Sequence, residues 1–186
     1  MSKINQLSIL MHLLSKEYKD SNKIGVTKKE ALEYLNVPSR NSDLFFQELL
    51  THLAKYIQPI GLQIRFNPIN EHWYLSYDDN ISDLIQANPF SDKPRLPATL
   101  FCILTVAMRH TGEIRAKNVK ELRKKKGIHR DLRDLEDLGY ISLEKDNNGM
   151  ELIKLTPLIG YQLDLEKLSL NLALHTKKKK EEGTQN

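Results

Sequence analysis

The chain has 186 residues, 28 basic and 24 acidic, for a net charge of +4, with a single cysteine. Hydrophobic residues make up 40% and charged ones 28%, which supports a soluble chain with one packed domain or two small ones. No apolar run approaches the roughly 20 residues of a membrane span, no secretory signal is visible at the N-terminus, and one cysteine excludes an internal disulfide, so a cytoplasmic location is expected.

In chain order, Ile4, Leu7, Leu10, Met11 and Leu14 recur at helical spacing and predict a first helix. "TKKEALEYL" at 27–35 predicts a second, with Thr27 and Glu30 spaced as a capping box. "SDLFFQELLTHLAKYI" at 42–57 predicts a third, capped by Ser39 or Ser42, with Phe45 or Phe46, Leu49, Leu50, Leu53 and Ile57 as its core stripe. Pro59 and Gly61 close it. The period then changes from 3.6 to 2: Leu62, Ile64 and Phe66 share one strand face, and Trp73, Leu75 and Tyr77 another, across the turn-rich "NPINEH". A short helix is expected at 81–87, and the three prolines of "NPFSDKPRLP" mark a linker.

The plan then repeats. "PATLFCILTVAMRH" predicts a helix with Pro97 in its first turn, "TGEIR" a short strand, and "AKNVKELRKKK" a second helix stopped by Gly127. "IHRDLRDLEDL" predicts a third, with Ile128, Leu132, Leu135 and Leu138 on its buried face and Arg130, Arg133, Asp134 and Asp137 outward. "YISLEK" and "MELIKLT", joined through Asn148–Gly149, predict a second hairpin. Three helices followed by a hairpin, twice, describe an α+β, mainly helical fold: tandem winged helices at 1–87 and 97–165, a linker at 88–96, and a tail at 166–186.

From about Leu7 to Leu168 this order resembles the segregation and condensation protein B family, the kite subunits of SMC–kleisin complexes. "GLQIRFNPINEHWYLSY" resembles that family's first wing, "LPATLFCILTVAMRHTGEIRAKNVKELRKKKGIHRDLRDLEDLGYI" its second domain, and "LTPLIGYQLDL" its exit after the second wing. "RKKKGIHRD", "LSLNLALHT" and "SKEYKDSNKIGV" depart from the pattern. The resemblance implies a dimeric, non-enzymatic adaptor in chromosome segregation and condensation. It would be nucleoid-associated and would bind a kleisin and, through it, an SMC ATPase. The alternative is a winged-helix DNA-binding transcription regulator.

Charge bears on that choice. In 128–141 the two arginines face Asp131, Asp134, Glu136 and Asp137, a net charge of −2 on what would be the reading helix. In 42–57 Lys55 faces Asp43 and Glu48. A helix in a major groove lies between phosphate rows, so the expectation is a mixed-charge surface for a protein partner, with Arg130, Arg133, Asp134 and Asp137 in contact. Residues 113–126 run the other way, with seven basic and two acidic residues. There Lys117, Lys120, Arg123, Lys124, Lys125 and Lys126 form either a weak DNA-backbone contact or a solvated face that offsets the following acids.

Two further features stand out. Trp73, Tyr74 and Tyr77 make an aromatic strand, either covering its own core or anchoring a partner. Leu168, Leu170, Leu172 and Leu174 alternate at period 2, as in an added strand or a segment folded back on the second domain. Lys177–Lys180 open a tail without apolar content, read as disordered. The six histidines have no H-x-x-x-H spacing and no cysteine partners, and no phosphate-binding glycine loop occurs. No metal, cofactor or catalytic residue is expected.

Overall fold

The computed structural model describes residues 3–18, 23–37, 41–78, 90, 93–109, 113–163 and 165. The helix expected at 81–87, most of the linker, Leu168, Leu170, Leu172, Leu174 and Lys177–Lys180 lie outside them. The chain divides into two compact units, Met1–Ala87 and Asn88–Asn186. Both are mainly helical winged helices.

The first unit opens with α1 (Lys3–Leu14), which buries Leu10, Leu13 and Leu14. Its face is turned from the expected one: Ile4 is 75% exposed and Met11 39%. The segment "ILMHLL" is apolar on both sides, and the Leu10–Leu13–Leu14 triplet (i, i+3, i+4) forms the more continuous ridge. A short hairpin of β1 (Glu17–Tyr18) and β2 (Lys23–Ile24) follows, within the stretch "SKEYKDSNKIGV" that departs from the family pattern. β3 (Val26–Thr27) leads into α2 (Lys28–Tyr34).

The Thr27–Glu30 capping box is complete. The Glu30 amide donates to Thr27 Oγ1 at 3.3 Å, and Glu30 Oε2 accepts from the Thr27 amide at 3.0 Å and from its hydroxyl at 2.7 Å. α2 ends in a Schellman motif on Asn36 (φ 51°): Asn36 N donates to Glu33 O and Val37 N to Leu32 O.

α3 (Ser42–Ile57) buries Phe46, Leu49, Leu50, Leu53 and Ile57. Its N-cap is Asn41, in left-handed conformation and without a side-chain cap bond, so Ser42 is the first helical residue rather than the cap. A 3-10 turn at Gln58–Ile60 and left-handed Gly61 pass the chain to β4 (Leu62–Asn67). β4 pairs antiparallel with β5 (His72–Tyr77), and the sheet order is β3-β5-β4.

The second unit repeats the plan. α4 (Leu96–Arg109) carries Pro97 in its first turn, where the missing amide costs nothing. β6 (Ile114–Arg115) precedes α5 (Ala116–Arg123). α5 stops four residues before Gly127: Lys124 takes a left-handed conformation (φ 51°) and its amide donates to Lys120 O. Three further lysine-rich residues then form the turn into α6 (Ile128–Asp137).

Ile128, Leu132 and Leu135 are buried as expected, but Leu138 is 38% exposed. Leu138 is the C-cap of a second Schellman motif, in which Gly139 N donates to Glu136 O and Tyr140 N to Leu135 O, and the chain leaves the stripe there. β7 (Ile141–Lys145) and β8 (Glu151–Leu155) form the wing. Asp146 Oδ1 ties its turn by accepting from Asn148 N and Met150 N, both at 2.8 Å. The sheet order is β6-β8-β7, the same as in the first unit, and α7 (Pro157–Gln162) follows.

Candidate functional site

In the first unit the aromatic strand divides by face. Trp73 is half-buried against the helical core, edge-on to Phe46 (centroids 5.9 Å apart) and tilted on its cross-strand neighbour Phe66 (5.0 Å). Tyr74, on the opposite face, is 4% exposed and so has no free surface to offer a partner. Gly25 comes close to the same strand: an added Cβ there would lie 2.8 Å from Tyr74 Cβ and 2.0 Å from Trp73 O. Tyr77, at the strand end, is 52% exposed.

Trp73 and Ile64 from the sheet and Leu50 from α3 line an open hollow of 380 Å³, rimmed by Gln47, Thr51 and Gln63. The helix–sheet hollow is a feature that sequence reasoning missed, because it depends on how far α3 stands from the wing. α3 also exposes Leu44, at 63%, on its outward face, and Tyr56, at 70%, on the flank turned from the hollow, followed by Ile60 at 65%. The charges on α3 are sparse: Asp43, held by Lys28 at 2.5 Å, Glu48 and Lys55. This surface mixes apolar and polar side chains with exposed Glu48 and a single cation, Lys55.

The second unit overturns the charge argument made for 128–137. Asp131 is 7% exposed: Oδ2 accepts from Thr99 Oγ1 at 3.0 Å and Oδ1 pairs with Arg95 Nε at 2.8 Å. Asp134 turns to the same guanidinium, with Arg95 Nη2 at 2.8 Å, and to Lys93 Nζ at 3.2 Å. The Arg95 hydrogen bond, then that of Lys93, holds the Asp134 carboxyl below the ordinary carboxylate range. Asp134, expected to point outward, is therefore engaged within its own unit. Glu136 Oε1 accepts from Leu143 N at 2.8 Å, tying α6 to the wing.

Arg123 is also drawn inward, its Nε donating to Thr99 Oγ1 at 3.4 Å, and this sets it apart from the cations around it. Arg130, Arg133 and Asp137 are exposed, as are Lys117, Lys120, Lys124, Lys125 and Lys126. Counted by sequence α6 is acidic; counted by exposure its outer face carries two arginines against Asp137.

Cys102 is half-buried, and burial raises its thiol pKa, which disfavours the thiolate. Among the described residues no three His, Cys, Asp or Glu side chains gather as metal ligands, and no helix is long and apolar enough to cross a membrane.

No protein-family model and no curated protein matches the sequence. Among solved structures the chain is similar to ScpB from Mycobacterium tuberculosis, at 18% identity over 90% of this chain and 97% of that one, with a TM-score of 0.32. It is also similar to a conserved hypothetical protein from Chlorobium tepidum, at 15% identity over 84% and 93%, with a TM-score of 0.39.

Proposed function

We propose that this chain is a non-enzymatic adaptor subunit of an SMC–kleisin complex, acting in chromosome segregation and condensation by gripping the kleisin with its first unit. The observation that carries the reading is the outward face of α3. In a winged helix this is the position of the DNA-reading helix, yet α3 exposes Leu44 on that face and Tyr56 on its flank, with a single lysine. Such a face lacks the cations that phosphate neutralisation requires and has the exposed aromatic and aliphatic anchors typical of polypeptide interfaces. The hollow on the other flank of α3 from Tyr56, lined by Leu50, Ile64 and Trp73, offers an apolar seat for a side chain of the bound segment. Identification of that segment as a kleisin rests on the resemblance of the wing and second-domain sequences. Dimerisation through the first unit belongs to the same reading.

Affinity purification of the whole chain from its native cells tests it. A kleisin-type chain and an SMC ATPase should co-purify, and Leu44→Asp with Tyr56→Asp should release both while leaving the fold intact. Absence of both, with a sequence-selective shift of one DNA fragment by the chain alone, would favour the transcription-regulator reading.

A further inference from the structure

We propose that the helix–turn–helix of the second unit, α5 with its turn and α6, binds the sugar–phosphate backbone of duplex DNA without regard to sequence. Three observations carry this. Lys117 and Lys120 are exposed on α5, and the early end of that helix leaves Lys124, Lys125 and Lys126 exposed in the turn. Arg130 and Arg133, three apart on α6, are exposed beyond it. The acids of the same stretch that would cancel these charges are engaged inside the unit: Asp131 and Asp134 on Arg95 and Lys93, and Glu136 on the wing amide of Leu143. Within 116–137, Glu121 and Asp137 are the acids left exposed, facing seven exposed cations.

The chemistry selects duplex DNA over an acidic polypeptide. A protein partner is held by buried anchors, with charge as an accessory, and the one large apolar side chain exposed on α5 or α6 before Leu138 is Leu122, at 38%. A duplex presents about one negative charge per 1.7 Å of axis. At about 1.5 Å rise per residue, Lys117 to Lys124 spans roughly 10 Å, so the row faces several phosphates at once. Lysines act on phosphate as point charges, and contacts of this kind position a protein without reading bases.

Fluorescence anisotropy of the whole chain with a labelled mixed-sequence duplex tests the proposal. Binding should weaken with salt at a log–log slope of about −4. Lys120→Glu with Lys125→Glu and Arg133→Glu should weaken it on the order of 100-fold. Lys29→Glu with Lys55→Glu, exposed in the first unit, and alanine at Lys177–Lys180 should each change it by less than about threefold. If the triple reversal melts early, Lys125→Gln with Lys126→Gln replaces it, with a loss of about tenfold expected.

The proposal is overturned by no binding at low salt, by equal losses in the control variants, or by a polyglutamate peptide bound as tightly as the duplex. Because the surface lies in the other unit from the polypeptide face, failure to recover a kleisin leaves this result standing, and the reverse also holds.

Discussion

Gly25 is where a single missing side chain determines the shape of the aromatic strand. Its φ is +83°, and a Cβ there would sit 2.0 Å from the Trp73 carbonyl oxygen, which is backbone and cannot step aside. Left-handed strain of about 1–2 kcal/mol combines with an overpacking cost of about 1–3 kcal/mol. Gly25→Ala should therefore destabilise the first unit by about 2–5 kcal/mol. Gly149→Ala, at a similar φ of 75° but with open space around it, should cost only about 1 kcal/mol. Trp73, the one tryptophan in the chain, reports the first case directly by fluorescence during denaturation.

Asp134 gives a second residue-scale test. Its carboxyl is lowered chiefly by Arg95 and then Lys93, so the stabilisation it provides is complete above its unfolded pKa of about 3.9 and disappears as pH falls through the lower folded value. Urea midpoints of the second unit, followed by circular dichroism, should decline below about pH 4 in the native chain. Asp134→Asn should flatten that decline. An unchanged acid limb in the variant would remove Asp134 from the account.

At the scale of elements, α2 shows how far local chemistry reaches. Thr27 and Glu30 announce the helix start in the sequence, and the structure contains both reciprocal bonds. Thr27→Ala should cost about 1 kcal/mol, read as a shift in the Trp73 fluorescence midpoint. The three long helices and both wings were legible for the same reason: strong periodicity bounded by turn residues. The face of α1 was not, because "ILMHLL" is apolar on both sides of the helix and packing against α3 and β5 buries Leu13 rather than Met11. The β1–β2 hairpin was missed because two-residue strands carry no period.

The charge of α6 was misjudged for a different reason. Its acids are paired by Lys93 and Arg95, more than 30 residues earlier in the chain, and no local pattern announces a partner at that distance. Thr99 was silent in the sequence for the same reason, although it joins Asp131 and Arg123 in one buried network. Of the proposed contacts, those that depended on local exposure, such as Tyr77 and Arg133, lie at the surface. Tyr74 and Asp134 were set by contacts distant in sequence.

Across the whole molecule one topology is used twice, with a short strand before helix two pairing with the returning wing strand in both units. What differs is the surface of the third helix. α3 exposes Leu44 and Tyr56 over sparse charge, whereas α6 exposes two arginines and Asp137 after Asp131, Asp134 and Glu136 have been engaged internally. Fold alone does not assign function to either; the side chains left facing solvent do. Two recognition chemistries on separate units should then be separable by mutation. Leu44→Asp with Tyr56→Asp should abolish polypeptide capture and leave duplex affinity within about threefold, while Lys125→Glu with Lys126→Glu should do the opposite. Paired pull-down and anisotropy measurements on the same preparations decide it. Loss of both activities in either variant would mean that the two faces act as one surface, and the assignment of one chemistry to each unit would fall.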